Sequence, residues 1–205
     1  MAARREHVLV IGAGVFGAWT AHHLLNAGHR VTLIDAHGPA NSLASSGGES
    51  RLIRASYGWD SIYSRMARDS LPEWTALSAL SGLPIFIEAG MLVFFPEEQP
   101  YLADSIAAHR DVGLQTEILH PHEMARRYPM IDFEGVAAGL FEPGFGALMA
   151  RRSVQTLVDR FVREGGEYRV GAALVPDGPG SMLESVRLAD GDCIPADRFV
   201  FALGP

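Results

Sequence analysis

A strand, a glycine turn, a helix and a second strand ending in an acid fill the start of this chain. They read His7-Val8-Leu9-Val10-Ile11, then Gly12-Ala13-Gly14-Val15-Phe16-Gly17, then Val31-Thr32-Leu33-Ile34-Asp35. The order is that of a dinucleotide-binding βαβ unit, and each residue type answers a physical need. Gly12 allows the tight exit from the strand, Gly14 leaves the backbone open to a pyrophosphate, and Gly17 lets the helix pack closely on the sheet. The helix, expected over 15–26 with Ala27-Gly28 as its stop, turns its N–H groups and positive dipole end toward phosphates. Asp35 follows the glycines by about 20 residues, where a carboxylate accepts hydrogen bonds from a ribose 2′-OH and disfavours the 2′-phosphate of NADP. A secretory signal is the rival reading, since Arg4 and Arg5 precede an apolar run. That run is broken by Gly12, Gly14 and Gly17, then by His22, His23 and Asn26, and no stretch reaches the ~18 apolar residues of a membrane span.

With 205 residues, 48% of them hydrophobic and 20% charged, the chain can bury one domain or two small ones. A net charge of −7, with Arg126-Arg127 and Arg151-Arg152 as isolated basic pairs, argues against nucleic acid as a partner. Cys193 is the only cysteine, which excludes an internal disulfide framework and suits a reducing, cytoplasmic compartment. It follows the turn Asp190-Gly191-Asp192 and reads as an unreactive strand residue.

Farther along, Ile62, Met66, Trp74, Leu77 and Leu80 predict a helix over 61–80, kinked or divided at Pro72 and ended by Ser81-Gly82. Strands are expected at 85–87 and 91–95 around Gly90, a helix over 100–111, a strand near 116–119, a short helix over 123–127, and strands at 136–141 and 146–149. Val154, Leu157, Val158 and Phe161 then form one face of an amphipathic helix closed by Gly165-Gly166. The tail reads as strands over 168–175, 181–188 and 198–203, with turns at 176–180 and 190–192. The expected fold class is α/β: a discontinuous, Rossmann-like nucleotide-binding domain, 1–83 and 146–205, interrupted at 84–145 by part of a strand-rich α+β substrate domain. Because Phe199 to Pro205 is an apolar strand with nothing after it, the chain is expected to be the N-terminal portion of a longer protein.

A second loop, Ser45-Ser46-Gly47-Gly48-Glu49-Ser50, leads into Arg51-Leu52-Ile53-Arg54. Taken alone it reads as a polar surface loop. With the glycine turn, with Tyr57-Gly58, with Gly90-Met91-Leu92-Val93 and with Phe141-Glu142-Pro143 and Gly146, the chain resembles FAD-dependent amine oxidoreductases of the D-amino-acid oxidase superfamily, in the branch of the sarcosine and N-methyltryptophan oxidases. That resemblance implies FAD as cofactor and oxidation of the C–N bond of an amino acid or N-methyl amino acid, with oxygen or another electron acceptor.

It also implies roles. Gly12, Gly14, Phe16 and Gly17 would hold the pyrophosphate and Asp35 the adenosine ribose. Ser45, Ser46, Gly48, Ser50 and Arg51 would line the region of the flavin ring and ribityl chain. Val175 would meet the adenine, and Gly204, within Ala202-Leu203-Gly204, a second flavin-contacting turn. Arg54 would bind the substrate carboxylate, a task that suits a planar guanidinium. The family's His-His pair is replaced here by Ser46-Gly47, so substrate preference does not carry over, and its covalent attachment cysteine lies beyond Pro205. In a eukaryote the resemblance implies a peroxisome. The rival readings are a nicotinamide-dependent dehydrogenase, which has no use for the serine and arginine loop, and a non-catalytic, truncated flavin-binding remnant. Neither the adjacent His22 and His23 nor His120, His122 and Glu123 read as a metal site.

Overall fold

The computed structural model describes residues 5–97, 99–175 and 182–204, and the turn expected at 176–180, with Ser181, lies outside them. The chain divides into two compact units, one formed by Met1–Ser50 and Ala150–Pro205, the other by Arg51–Met149.

The first unit begins with β1 (His7–Ile11), α1 (Val15–Asn26) and β2 (Arg30–Asp35). The chain leaves this unit and passes through β3 (Arg51–Ile53), α2 (Ser61–Ser81), β4 (Phe86–Ile87), β5 (Met91–Phe95), α3 (Pro100–Asp111), β6 (Glu117–Leu119), α4 (Pro121–Arg127), β7 (Ala138–Glu142) and β8 (Gly146–Leu148). It re-enters the first unit with α5 (Ala150–Arg163), β9 (Glu167–Val170), β10 (Ser185–Arg187), β11 (Cys193–Pro195) and β12 (Arg198–Phe201).

In the first unit β12, β1, β2 and β9 form a parallel sheet in that order. Strands buried on both faces need apolar side chains in succession, and Val8, Leu9, Val10 and Ile11 in β1 are all buried. The β10–β11 ribbon covers one set of these residues, Leu9, Ile11 and Ile34 packing with Val186 and Leu188. Helices α1 and α5 pack on each other. The apolar stripe of α5, Val154, Leu157, Val158 and Phe161, is fully buried as its spacing requires. Small residues Gly17, Ala18 and Ala21 fill the buried face of α1, where His22 is also buried, its Nδ1 3.2 Å from a Glu164 carboxylate oxygen.

The second unit holds two antiparallel three-stranded sheets, β3-β8-β4 and β5-β7-β6. Phe95, Leu102, Ala138 and Leu140 make one of its cores, and Leu119, Met124 and Phe133 another.

Several elements differ from their sequence expectation. Arg51 to Ile53, read as loop, is a strand, because β8 offers it a hydrogen-bonding edge in the register Arg51 to Leu148 and Ile53 to Gly146. The contacts place the unit boundaries at 50 and 150 instead of 83 and 146, since β3 pairs with β8 and α2 packs on α3 and β4. Pro72 does not divide α2, which runs unbroken over 21 residues. The strand expected over 168–175 stops at Val170, where pairing with β2 ends at Asp35.

Candidate functional site

Two of the three fingerprint glycines are demanded by the fold itself. Gly12 adopts φ +106°, and a Cβ there would sit 2.3 Å from the carbonyl oxygen of Ala202; at Gly17 it would sit 1.7 Å from the carbonyl oxygen of Gly12. Strand, turn and helix therefore touch through bare backbone, held by Gly12 N–H to Ile34 O (2.8 Å) and Ala202 N–H to Ile11 O (2.8 Å).

Gly14 is different. Its backbone is extended at φ −75°, ψ −174°, and a Cβ would meet only Ser46 Oγ, at 3.6 Å. That is ordinary van der Waals contact, so packing does not require glycine here. Gly14 is also the N-cap of α1, without a capping side chain, and the first turn holds no acid. The amides at this helix end are thus left for another acceptor.

Asp35 closes the turn from the other side. Its Oδ2 accepts the Ala13 amide at 2.8 Å, and its Oδ1 accepts the His37 amide at 2.8 Å and the Asn41 side-chain amide at 3.3 Å. A carboxylate offers about four lone-pair sites, so acceptor capacity remains for one more donor. Close by in charge terms is Tyr168 of β9, whose acidity is suppressed to a pKa of about 12 by burial first and by the negative charge of Asp35 second. Its buried hydroxyl has no hydrogen-bond partner among the described residues.

The serine and glycine loop is fixed by α5. Gly47 has no room for a side chain, since a Cβ would lie 2.0 Å from the Asn41 carbonyl oxygen. Arg151 grips the Gly47 carbonyl with Nε (2.8 Å) and Nη2 (2.5 Å), while the amides of Ala150 and Arg151 donate to Glu49 O and Gly48 O. Ser46 is buried and its hydroxyl faces Gly14, whereas Ser45 and Ser50 are exposed. Arg151 was legible only as half of a basic pair, and its role in holding the loop had no sequence signal.

Ala202 comes up against Gly12, so the turn ending at Gly204 (φ +76°) begins beside the glycine turn. Phe16 is 80% exposed and Val175 89% exposed, so any part they play is through backbone or at a surface. A groove of about 550 Å³ runs along the outer face of α1, lined by Phe16, Trp19 and His23 among others. It does not include Gly12 or Gly14.

In the second unit Arg51 starts β3 and is exposed. Arg54, one residue past that strand, is half-buried, with its guanidinium carbon 4.4 Å over the Tyr57 ring. Nη1 donates to the Ser56 carbonyl and lies 3.3 Å from Tyr101 Oη, which itself donates to Ser56 O at 2.7 Å. The Nε and Nη2 edge of the fork makes no hydrogen bond among the described residues, and that edge is the one that takes a carboxylate bidentately.

His23 stacks on Trp19, and His120 caps α4 in a reciprocal box in which Glu123 accepts the His120 amide at 2.9 Å. That bond lowers the Glu123 pKa. No cluster of three or more metal-ligating side chains occurs among the described residues, and no helix there is long and apolar enough to cross a membrane. Cys193 is exposed at the start of β11.

A family model described as FAD dependent oxidoreductase matches residues 7–205. Human peroxisomal sarcosine oxidase is 29% identical over 185 residues, which is 89% of this chain and 47% of that protein. N-methyl-L-tryptophan oxidase of Citrobacter koseri is 31% identical over 159 residues, 78% of this chain and 42% of that protein. The chain thus spans less than half the length of these relatives. Among solved structures, L-proline dehydrogenase from P. horikoshii superposes with a TM-score of 0.81 at 21% identity, over 97% of this chain and 53% of that one. At that identity the likeness is one of fold, the Rossmann-like α/β class.

Proposed function

The chain belongs to the FAD dependent oxidoreductase family, and from that premise we propose that it carries the nucleotide-binding region and part of the substrate side of a flavoenzyme acting on amino acids or N-methyl amino acids. The observation that carries this reading is Gly14, a glycine that packing does not need, set at an uncapped helix end beside a buried serine. Its missing side chain makes sense as room for a ligand. FAD fits the residues present, and when bound it supplies the two-electron acceptor for oxidation of a C–N bond.

The chain's own residues bind and orient. Backbone amides at Gly14, Phe16 and Gly17 neutralise the pyrophosphate at the tight turn that Gly12 makes, the spare capacity of Asp35 accepts a ribose hydroxyl, and the backbone at Val175 meets the adenine. Ser45, Ser46, Gly48 and Ser50 offer hydroxyls and amides to the ribityl chain and ring, and the turn ending at Gly204 adds a further contact. Arg51 supplies positive charge near the ring, an electrostatic role. Arg54 presents its Nε and Nη2 edge to the substrate carboxylate, held in aim by Tyr57, Ser56 and Tyr101. Oxygen or another acceptor then serves as the second substrate, and the compartment is proposed as the cytoplasm, or the peroxisome in a eukaryote.

The spectrum of the protein purified after expression with excess FAD tests this reading. A visible flavin absorption that stays with the protein through gel filtration is the expected result. Retention of a nicotinamide nucleotide and no flavin would turn the assignment to a dehydrogenase.

A further inference from the structure

A fully buried contact between a carboxyl group and an imidazole stands behind the arginine segment. Glu142, the last residue of β7, is 0% exposed and His109 of α3 is 1% exposed. A carboxylate removed from water is costly unless paired and hydrogen-bonded, so its partners indicate what keeps it there. They are two. Oε2 accepts the Ala55 amide at 2.9 Å, and Oε1 faces His109 Nε2 at 3.4 Å. His109 Nδ1 lies 2.9 Å from the Thr116 hydroxyl, which can donate to it and leave the Nε2 proton directed at Glu142. Beyond this longer contact neither Nε2 nor Oε1 has a hydrogen-bond partner among the described residues.

Ala55 is the residue after Arg54. Its carbonyl is held as well, by the buried Ser64 hydroxyl at 2.7 Å, and the Gly58 amide donates to the buried Ser105 hydroxyl at 2.9 Å. The backbone carrying Arg54 thus hangs from side chains of β7, α2 and α3. Among these anchors Glu142 is the carboxyl group, and the amide it receives belongs to the peptide bond that joins Arg54 to Ala55. An apolar side chain of similar size would fill the space at smaller desolvation cost, but without an acceptor for Ala55.

We propose that Glu142 is a positioning residue for Arg54, with His109 holding the carboxylate in the orientation that receives the Ala55 amide. The inference rests on the reading of Arg54 as the carboxylate clamp, and goes beyond it by naming what sets the clamp's aim.

Amide exchange and side-chain NMR on the whole chain test it. Glu142→Leu should speed exchange at Ala55 by about tenfold relative to Leu140 in the middle of β7, and shift the Arg54 Nε–Hε resonance. Glu142→Gln keeps an acceptor oxygen, with an amide that donates to His109 once the imidazole tautomer switches. It should hold Ala55 exchange within about twofold of the unmutated protein and restore the Arg54 resonance. Equal acceleration at Ala55 and Leu140, or a Gln variant as loose as the Leu variant, overturns the proposal. If Glu142→Leu does not fold, a through-bond correlation between the Ala55 amide nitrogen and Glu142 Cδ in the unmutated protein decides, and its absence overturns the proposal too. Titration with acetate, followed at Arg54 Nε–Hε, separates the two readings. Silence there removes the clamp, whereas the Ala55 exchange result stands by itself.

Discussion

Tyr168 sits in β9 opposite Leu33, its buried hydroxyl without a hydrogen-bond partner among the described residues and the charge of Asp35 nearby. Its pKa is pushed from 10.0 to about 12, by burial first and the carboxylate second. The folded state therefore holds this proton where the unfolded chain gives it up. The resulting stability is fully present below pH 10 and is lost as the pH rises toward 12. Denaturant unfolding across that range should show a decline that Tyr168→Phe reduces; an identical decline in the variant would remove Asp35 and burial as its cause. At this scale the sequence was most legible where one residue type alone satisfies the backbone. Gly12 and Gly17 were readable because a turn of this kind has no room for a Cβ. Arg151 was not, because nothing in an Arg-Arg pair says that its guanidinium folds back on Gly47 O across a hundred residues of sequence.

Elements were legible when their periodicity matched their burial. The βαβ unit and α5 emerged where they were expected because one apolar stripe or run dictated each. β3 did not, since two of its three residues are exposed and its pairing partner lies in β8, far along the chain; local pattern carries no such information. Helix α2 is the converse case, in which tertiary packing of Trp74 and Leu77 overrides a local breaker. Pro72 is exposed within that helix. An exposed proline in a helix interior costs up to about 3 kcal/mol relative to alanine, so Pro72→Ala should stabilise the protein by about 1 to 3 kcal/mol in urea unfolding. A variant less stable than the parent would mean that the helix depends on a bend at this position.

On the scale of the whole molecule, the chain joins a parallel-sheet unit made from both its ends to an antiparallel unit made from its middle. The candidate cofactor residues fall mostly in the first, and the arginines in the second. Read from sequence, the arginines fall with the glycine turn in 1–83, because the unit boundaries depend on β3 and α2 contacts that no local pattern displays. The turn at Gly12 to Gly17 is proposed to hold FAD, with Gly14 kept bare for the ligand and Gly17 for the fold. Titration with FAD, monitored by flavin fluorescence and by the thermal midpoint, should be run on the unmutated chain, Gly14→Ala and Gly17→Ala together. In the unmutated chain, FAD at about 100 times Kd should add about 2.7 kcal/mol. The Gly17 variant should lose about 3 kcal/mol or fail to fold. The Gly14 variant should keep its ligand-free stability within about 0.5 kcal/mol and bind FAD at least about tenfold more weakly. A Gly14→Ala protein that binds FAD as tightly as the parent would contradict the claim.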